Sequence, residues 1–179
     1  LFYEQWFGST RSNGGYEIVN KYSSIGGTSS WIGKPVSEIR SINQDSAYQI
    51  FENGKIYWKR SLGAWTVRLG AVNDRFGSAG YESGYLGFPR GDERTIAGRG
   101  IYQQFEGGQM YWSSTTGAWD VRYGAVMNRL AQLGYESGYL GFPTSGETKT
   151  KDGIYQQFEG GRIYWRPGKE SIDMSSAIL

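Results

Sequence analysis

The chain has 179 residues, with 19 Lys and Arg against 17 Asp and Glu for a formal charge of +2, and it contains neither histidine nor cysteine. That composition excludes disulfides, thiol nucleophiles, zinc sites of the usual ligand types, and Ser-His-Asp or Cys-His catalysis. The scattered charges lack the clustered Lys and Arg of a nucleic-acid footprint, and no apolar run approaches the roughly 20 residues that span a bilayer.

Aromatics at 16% and 28 glycines favour many short strands and tight turns over a helical bundle. Phe2-Tyr3-Glu4-Gln5-Trp6-Phe7-Gly8 opens the chain as a hairpin strand, because it resembles Ile101-Tyr102-Gln103-Gln104-Phe105-Glu106-Gly107. No signal peptide is visible, and the start at Leu1-Phe2-Tyr3 reads as a processed or trimmed product. Ile18, Tyr22 and Ile25 then fall at helical spacing, and Gly26 closes that helix. Trp31-Ile32-Gly33-Lys34-Pro35 follows, then Phe51-Glu52-Asn53-Gly54 with Tyr57-Trp58.

These phrases return at a period of 54 residues. Trp65, Leu69, Val72, Phe76 and Ala79 form one apolar stripe and predict a helix, with Thr66 in the capping column just before it and Gly80 closing it. Tyr85-Leu86-Gly87-Phe88-Pro89 comes next, its proline ending regular structure and its glycine permitting a positive φ or close approach. Leu86 and Phe88, like Leu140 and Phe142, read as packing residues between units. Gly91-Asp92-Glu93 is too sparse for a calcium loop.

Ile101 to Glu106 and Gln109 to Trp112 flank Gly107-Gly108, a pair suited to a two-residue type I′ turn. In that register Glu106 faces Gln109 and Phe105 faces Met110. One hairpin face then carries Ile101, Phe105, Met110 and Trp112 as core. The other carries Tyr102, Gln104, Glu106 and Tyr111 as a flat polar-aromatic surface.

A second stripe of Trp119, Tyr123, Val126, Leu130 and Leu133 predicts a helix capped by Asp120 and closed by Gly134. Tyr139-Leu140-Gly141-Phe142-Pro143 and Phe158-Glu159-Gly160-Gly161 with Tyr164-Trp165 complete the last full set. Ser171-Ile172-Asp173-Met174 echoes Ala118-Trp119-Asp120-Val121 and reads as the start of a fourth helix cut off at Leu179.

The chain is thus expected to be an α+β repeat protein with one repeat domain over 1–179. A partial unit covers about 1–27 and full units about 28–81, 82–135 and 136–179, each a β-hairpin plus a short helix. Either the ends meet in a propeller-like or ring-like pseudo-symmetric arrangement, or the chain is a piece of a longer array.

The phrases resemble the LGFP-repeat family, on the strength of residues 86–89 and 140–143, the Glu-Ser-Gly before them, and the hairpin ending in Tyr-Trp. The first copy departs from the pattern, with Ile32-Gly33-Lys34-Pro35 and with Thr28 in the column of Glu82 and Glu136. The resemblance implies a secreted or cell-wall-associated accessory module, of the kind appended to mycoloyltransferases or peptidoglycan amidases. It also implies attachment to wall polysaccharide such as arabinogalactan, or to peptidoglycan, with the repeats in a ring.

The expected function is non-catalytic, multivalent carbohydrate binding, since sugar C–H faces suit aromatic platforms and their hydroxyls suit amides and carboxylates. The candidate residues are Tyr102, Gln104, Glu106 and Tyr111, their counterparts Tyr155, Gln157, Glu159 and Tyr164, the partial set Tyr48 and Tyr57, and the loop acids Glu82 and Glu136. Glu82 and Glu136 are candidates either for sugar hydroxyls or for calcium, and no cofactor or metal site is assigned. The alternative is a structural or protein-interaction module that stabilises or anchors a partner enzyme domain, or self-associates, because Arg68, Arg75, Arg122, Arg129 and large aromatics also suit protein interfaces. A glycoside hydrolase is disfavoured, because the acids recur with the repeat and form no unique pair.

Overall fold

The computed structural model describes residues 14–178. The strand expected at residues 2–8 lies outside them. Helix α1 (Gly15–Ser24) leads into a four-stranded antiparallel sheet of β1 (Arg40–Asn43), β2 (Ser46–Ile50), β3 (Gly54–Lys59) and β4 (Gly63–Arg68). Helix α2 (Ala71–Ser78) precedes the second sheet of β5 (Arg94–Ile96), β6 (Gly100–Gln104), β7 (Gly108–Ser113) and β8 (Gly117–Arg122). Helix α3 (Ala125–Gln132) precedes the third, of β9 (Thr148–Lys149), β10 (Ile154–Phe158), β11 (Gly161–Trp165) and β12 (Ile172–Ser175). Each sheet is open, with its strands in chain order. The architecture is an α+β repeat. Among the described residues no helix is long and apolar enough to cross a membrane.

The helices are shorter than the apolar stripes suggested. Trp65 and Trp119 lie in β4 and β8, and the helices begin only at Ala71 and Ala125. A stripe at spacing i, i+4, i+7 had run across a strand and a helix. The strand portion is held by β3, which pairs with β4 from Gly54↔Arg68 to Lys59↔Gly63. Thr66 and Asp120 are therefore buried strand residues, and neither caps a helix. The fourth helix expected at Ser171 is likewise strand β12, in the place of β4 and β8. Gly26, Gly80 and Gly134 do follow the three helices, with φ of 105°, 94° and 91°.

The hairpin register also differs. Tyr102 pairs with Tyr111 and Gln103 with Met110, and the Phe105 N–H donates to the Gly108 carbonyl across a four-residue turn. Glycine is needed at 107 for space, since a Cβ there would lie 2.0 Å from the Tyr85 oxygen. The pairing moved by two positions, so every residue keeps its expected face.

What changed is what covers those faces. Helices α2 and α3 each lie between two sheets, and α1 packs on the first. One core combines Val72 and Phe76 of α2, and Ala79 just after it, with Tyr57 and Val67 of the first sheet and with Phe105 and Met110 of the second, and Leu86 and Phe88 seal it. The next repeats this with Val126 and Leu130 of α3, Tyr111, Val121, Leu140, Phe142, Phe158 and Ile163. Leu86, Phe88, Leu140 and Phe142 are thus the packing residues expected. Each such side chain contributes about 1.5–3 kcal/mol on burial.

Polar ties join successive units. Arg75 donates from Nε to Asp120 at 2.8 Å, and Tyr85 Oη donates to the same carboxylate at 3.0 Å. Arg129, Tyr139 and Asp173 repeat the arrangement. Buried Gln103 bridges sheets, its Nε2 donating to the Thr66 carbonyl at 2.7 Å and the Gly91 carbonyl at 2.9 Å, and Gln156 does the same to Asp120 and Ser145.

Candidate functional site

Leu86-Gly87-Phe88-Pro89 runs antiparallel beside the hairpin turn. The Glu106 N–H donates to the Phe88 carbonyl at 3.0 Å and the Gly107 N–H to the Leu86 carbonyl at 2.8 Å, while Pro89 bridges to Phe105. The Glu106 side chain completes the clamp: Oε2 accepts from the Phe88 N–H at 2.9 Å and Oε1 from Lys59 Nζ at 2.6 Å. Burial acts to raise the Glu106 pKa, but these hydrogen bonds outweigh it and hold the carboxyl below its ordinary value. Glu159 accepts from the Phe142 N–H at 2.8 Å and Glu52 from the Lys34 N–H at 2.8 Å. Gly87 sits at φ 65°, where a Cβ would approach Glu106 Oε2 to 2.7 Å. The two repeated phrases recur together because they form one clamp, and Glu106 and Glu159 are engaged in it.

The flat aromatic surface expected on the opposite hairpin face does not survive in the first two sheets. Tyr57 is 2% exposed and Tyr111 1%. Tyr57 meets the Phe76 and Phe88 rings edge-on at 5.8 and 6.2 Å, and Tyr111 meets Phe142 at 6.1 Å. Burial, then the carboxylates of Glu82 and Glu136 respectively, push both phenols well above their ordinary value. The following helix covers these rings, which single-hairpin reasoning could not show.

The rest of that face stays open as a groove. Tyr102, Gln104 and Gln109 of the second sheet form one wall, and Tyr135 and Glu136 from the next short 3-10 turn form the other, around about 270 Å³. Tyr111 supports the floor, its hydroxyl donating to Gln109 Oε1 at 2.7 Å. Arg99, on the turn between β5 and β6, donates to the Glu136 carbonyl at 2.6 Å and ties the Tyr135–Ser137 turn to the sheet. The groove thus gathers two phenols, two amides and a carboxylate. Tyr102, Gln104 and Glu136 were expected from sequence; Gln109 and Tyr135 were not.

Tyr135 carries a further signal. It holds φ 55°, as Tyr81 holds 52°, while the first copy has Gly27 at φ 57°. A left-handed conformation costs a non-glycine residue about 1–3 kcal/mol, so each tyrosine is kept there for its side chain, and Tyr81 uses its ring to pack against Phe76. Tyr135 is 43% exposed at the groove's lip.

The LGFP repeat model matches residues 32–84, 86–138 and 140–179, together most of the chain. The chain belongs to the LGFP-repeat family. A comparison with curated proteins returned no match. Each match begins at the first residue of the Leu-Gly-Phe-Pro phrase or its counterpart, the segment that the clamp fastens to its own hairpin.

The three LGFP units present unequal versions of the groove. In the first, Tyr48 stacks on Tyr57 at 5.6 Å, and Lys55 stands in the column of Gln109. Lys55 Nζ lies 4.1 Å over the Tyr81 ring, and burial lowers its pKa against the opposing Glu82 carboxylate. Tyr81 also packs edge-on against Phe76, so this copy is filled from within. In the third, Tyr155, Gln157 and Tyr164 are half-buried, and Arg162 donates to Gln157 Oε1 at 2.7 Å and to the Tyr164 hydroxyl at 3.3 Å. The missed residues shared one trait. Gln109 and Tyr135 meet the expected ones only across the hairpin register and the unit junction.

Proposed function

We propose that the chain is a non-catalytic saccharide-binding module, and that the groove of Tyr102, Gln104, Gln109, Tyr135 and Glu136 is its principal site. The observation that carries this reading is Tyr135, held in a left-handed backbone conformation with its ring exposed beside convergent amides and a carboxylate. An aromatic edge takes a sugar's C–H face, and the Gln and Glu side chains donate to and accept from its hydroxyls. The ligand class is neutral wall polysaccharide, arabinogalactan or the glycan of peptidoglycan, and the setting is secreted or cell-wall associated.

A single groove of this size binds weakly. Affinity then depends on several grooves meeting one polymer, where effective concentration multiplies modest contacts. A ring-like closure of the units belongs to the same proposal. The third sheet leaves Tyr155 and Tyr164 half-covered on the face that a following helix covers in the first two sheets. Small-angle scattering distinguishes a closed ring from an open series.

The test is co-sedimentation with insoluble arabinogalactan and with peptidoglycan, using the wild-type chain, Tyr135→Gly and Gln104→Ala/Glu136→Gln. Wild-type retention, reduced at least several-fold in both variants with unchanged melting temperature, is expected. Absence of retention on either polymer, with capture of an enzyme domain instead, moves the chain to the protein-interaction reading.

A further inference from the structure

On the opposite face of the second sheet, Trp112 and Ile101 form a wall with Leu69, Ala71 and Val72 around a cavity of about 280 Å³, which Arg68 and Glu93 complete. Its lining is mostly apolar, but an ion pair stands at its edge. Arg68 Nε lies 3.6 Å from Glu93 Oε1, and the guanidinium stacks 4.0 Å over the Trp31 ring, which fixes its plane. Burial raises the Glu93 pKa and Arg68 opposes it.

The first unit shows what the same columns look like when they serve packing alone. Trp58 stands for Trp112, Ile39 for Glu93, Ala47 for Ile101 and Gly14 for Arg68. There the tryptophan is 5% exposed, and a Cβ at Gly14 would come within 2.1 Å of its ring. That version is closed, and neither Ile39 nor Gly14 carries a charge. In the second unit the tryptophan is only partly buried, and a half-buried carboxylate replaces isoleucine, a change that costs stability unless the charge has a use. The third unit repeats the pattern, with Trp165 in place and Arg122 lying 3.8 Å from Glu147.

From this we infer that the Trp112–Arg68–Glu93 cavity is a second saccharide site, distinct from the Tyr135 groove, and that it takes one pyranose ring. The ring lies with its C–H face on the indole. Glu93 accepts from one hydroxyl, and the Arg68 edge not engaged by Glu93 donates to its neighbour, so a vicinal diol suits the pair. Trp31 is a positioning residue that holds Arg68 flat. Two sites on opposite faces of one sheet let the module bridge two polymer strands. This inference rests on the saccharide-binding reading, but it concerns different residues.

The test is a titration of the full chain with methyl glucopyranoside, methyl galactopyranoside and methyl mannopyranoside, followed at the indole N–H resonances. Glu93→Ile, which copies the first unit's own residue, and Glu93→Gln serve as variants expected to fold. At least one pyranoside is expected to shift the Trp112 resonance saturably at millimolar concentration. The shift should fall at least tenfold in both Glu93 variants and be unchanged in Tyr135→Gly. No Trp112 shift with any pyranoside, or equal shifts in Glu93→Ile, overturns the second site. If polymer retention persists without such shifts, only this site is lost. If Tyr135→Gly keeps full retention while Glu93→Ile loses it, the second site stands and the principal groove was misassigned.

Discussion

The Asp92 carboxylate occupies the place in the first unit junction that a strand aspartate fills in the next two. Its Oδ1 accepts from the Thr66 N–H at 2.9 Å and the Thr66 hydroxyl at 2.8 Å, and Lys21 pairs with its other oxygen. Burial acts to raise its pKa, but the Lys21 and Thr66 hydrogen bonds prevail and lower it. Thr66, Asp120 and Asp173 share one column, and Lys21, Arg75 and Arg129 share another. The acid has moved along the chain while the tie has been kept.

The moved tie predicts a rescue. Asp92→Gly alone should destabilise the fold by about 2–4 kcal/mol, because it leaves Lys21 and Thr66 without their partner. Adding Thr66→Asp restores the arrangement of the later units and should recover most of that loss. Urea unfolding of the two variants checks this; equal destabilisation in both would mean the columns are not interchangeable.

Asp120 is 2% exposed and receives both Arg75 and Tyr85. Asp120→Ala should cost about 3–5 kcal/mol, since it strands a guanidinium at the unit junction. Asp45→Ala, at an exposed pair with Arg60, should cost less than about 1 kcal/mol. Comparable denaturation midpoints for the two variants would contradict the assignment of the junction tie.

The buried and half-covered tyrosines should separate cleanly. Tyr111→Ala removes a ring from the core and should cost about 3–5 kcal/mol, whereas Tyr164→Ala, whose ring is half-exposed, should cost clearly less. Thermal melts of the single variants decide it. A Tyr111→Ala chain that melts like wild type would show that the following helix does not cover that ring.

The acids give opposite contributions to pH dependence. Asp92, Glu106 and Asp173 have lowered pKa values in the folded chain. Between those values and the ordinary ones near ~4, the unfolded chain binds more protons. Their stabilisation is therefore complete above the ordinary values and is lost as pH falls through the folded ones. Glu93 and Glu147 are raised by burial, so the folded chain holds their protons longer. Their contribution is most favourable below the ordinary value and declines as pH rises through the folded one. Glu93→Gln should thus gain stability relative to wild type as pH increases from about 4 to 7. A stability difference that stays constant over this range would show that Arg68 fully compensates the buried charge.

Much of the unit was legible along the chain. The 54-residue period, the left-handed glycines closing each helix, and the two faces of each hairpin follow from local spacing. The face assignment even survived a wrong turn register, because a shift of two preserves side-chain alternation. The helix start did not survive. Trp65-x3-Leu69 imitates a helical step, and only the β3 partner shows Trp65 to be in a strand. A strand's identity rests on hydrogen bonds to another segment, and local periodicity carries no record of them.

The sequence alone determined that this is an LGFP-type repeat with aromatic and amide residues in register, and that Tyr102, Gln104 and Glu136 were worth attention. Tertiary structure decided which of those side chains reach solvent. Tyr111 and Tyr164 occupy the same column, yet one is buried under α3 and Phe142 while the other remains half-exposed. The groove that gathers Gln109 and Tyr135 is built where a hairpin meets the following unit. Burial is a property of what packs against a surface, and here that neighbour is supplied by the helix and the Leu-Gly-Phe-Pro segment that follow the hairpin along the chain.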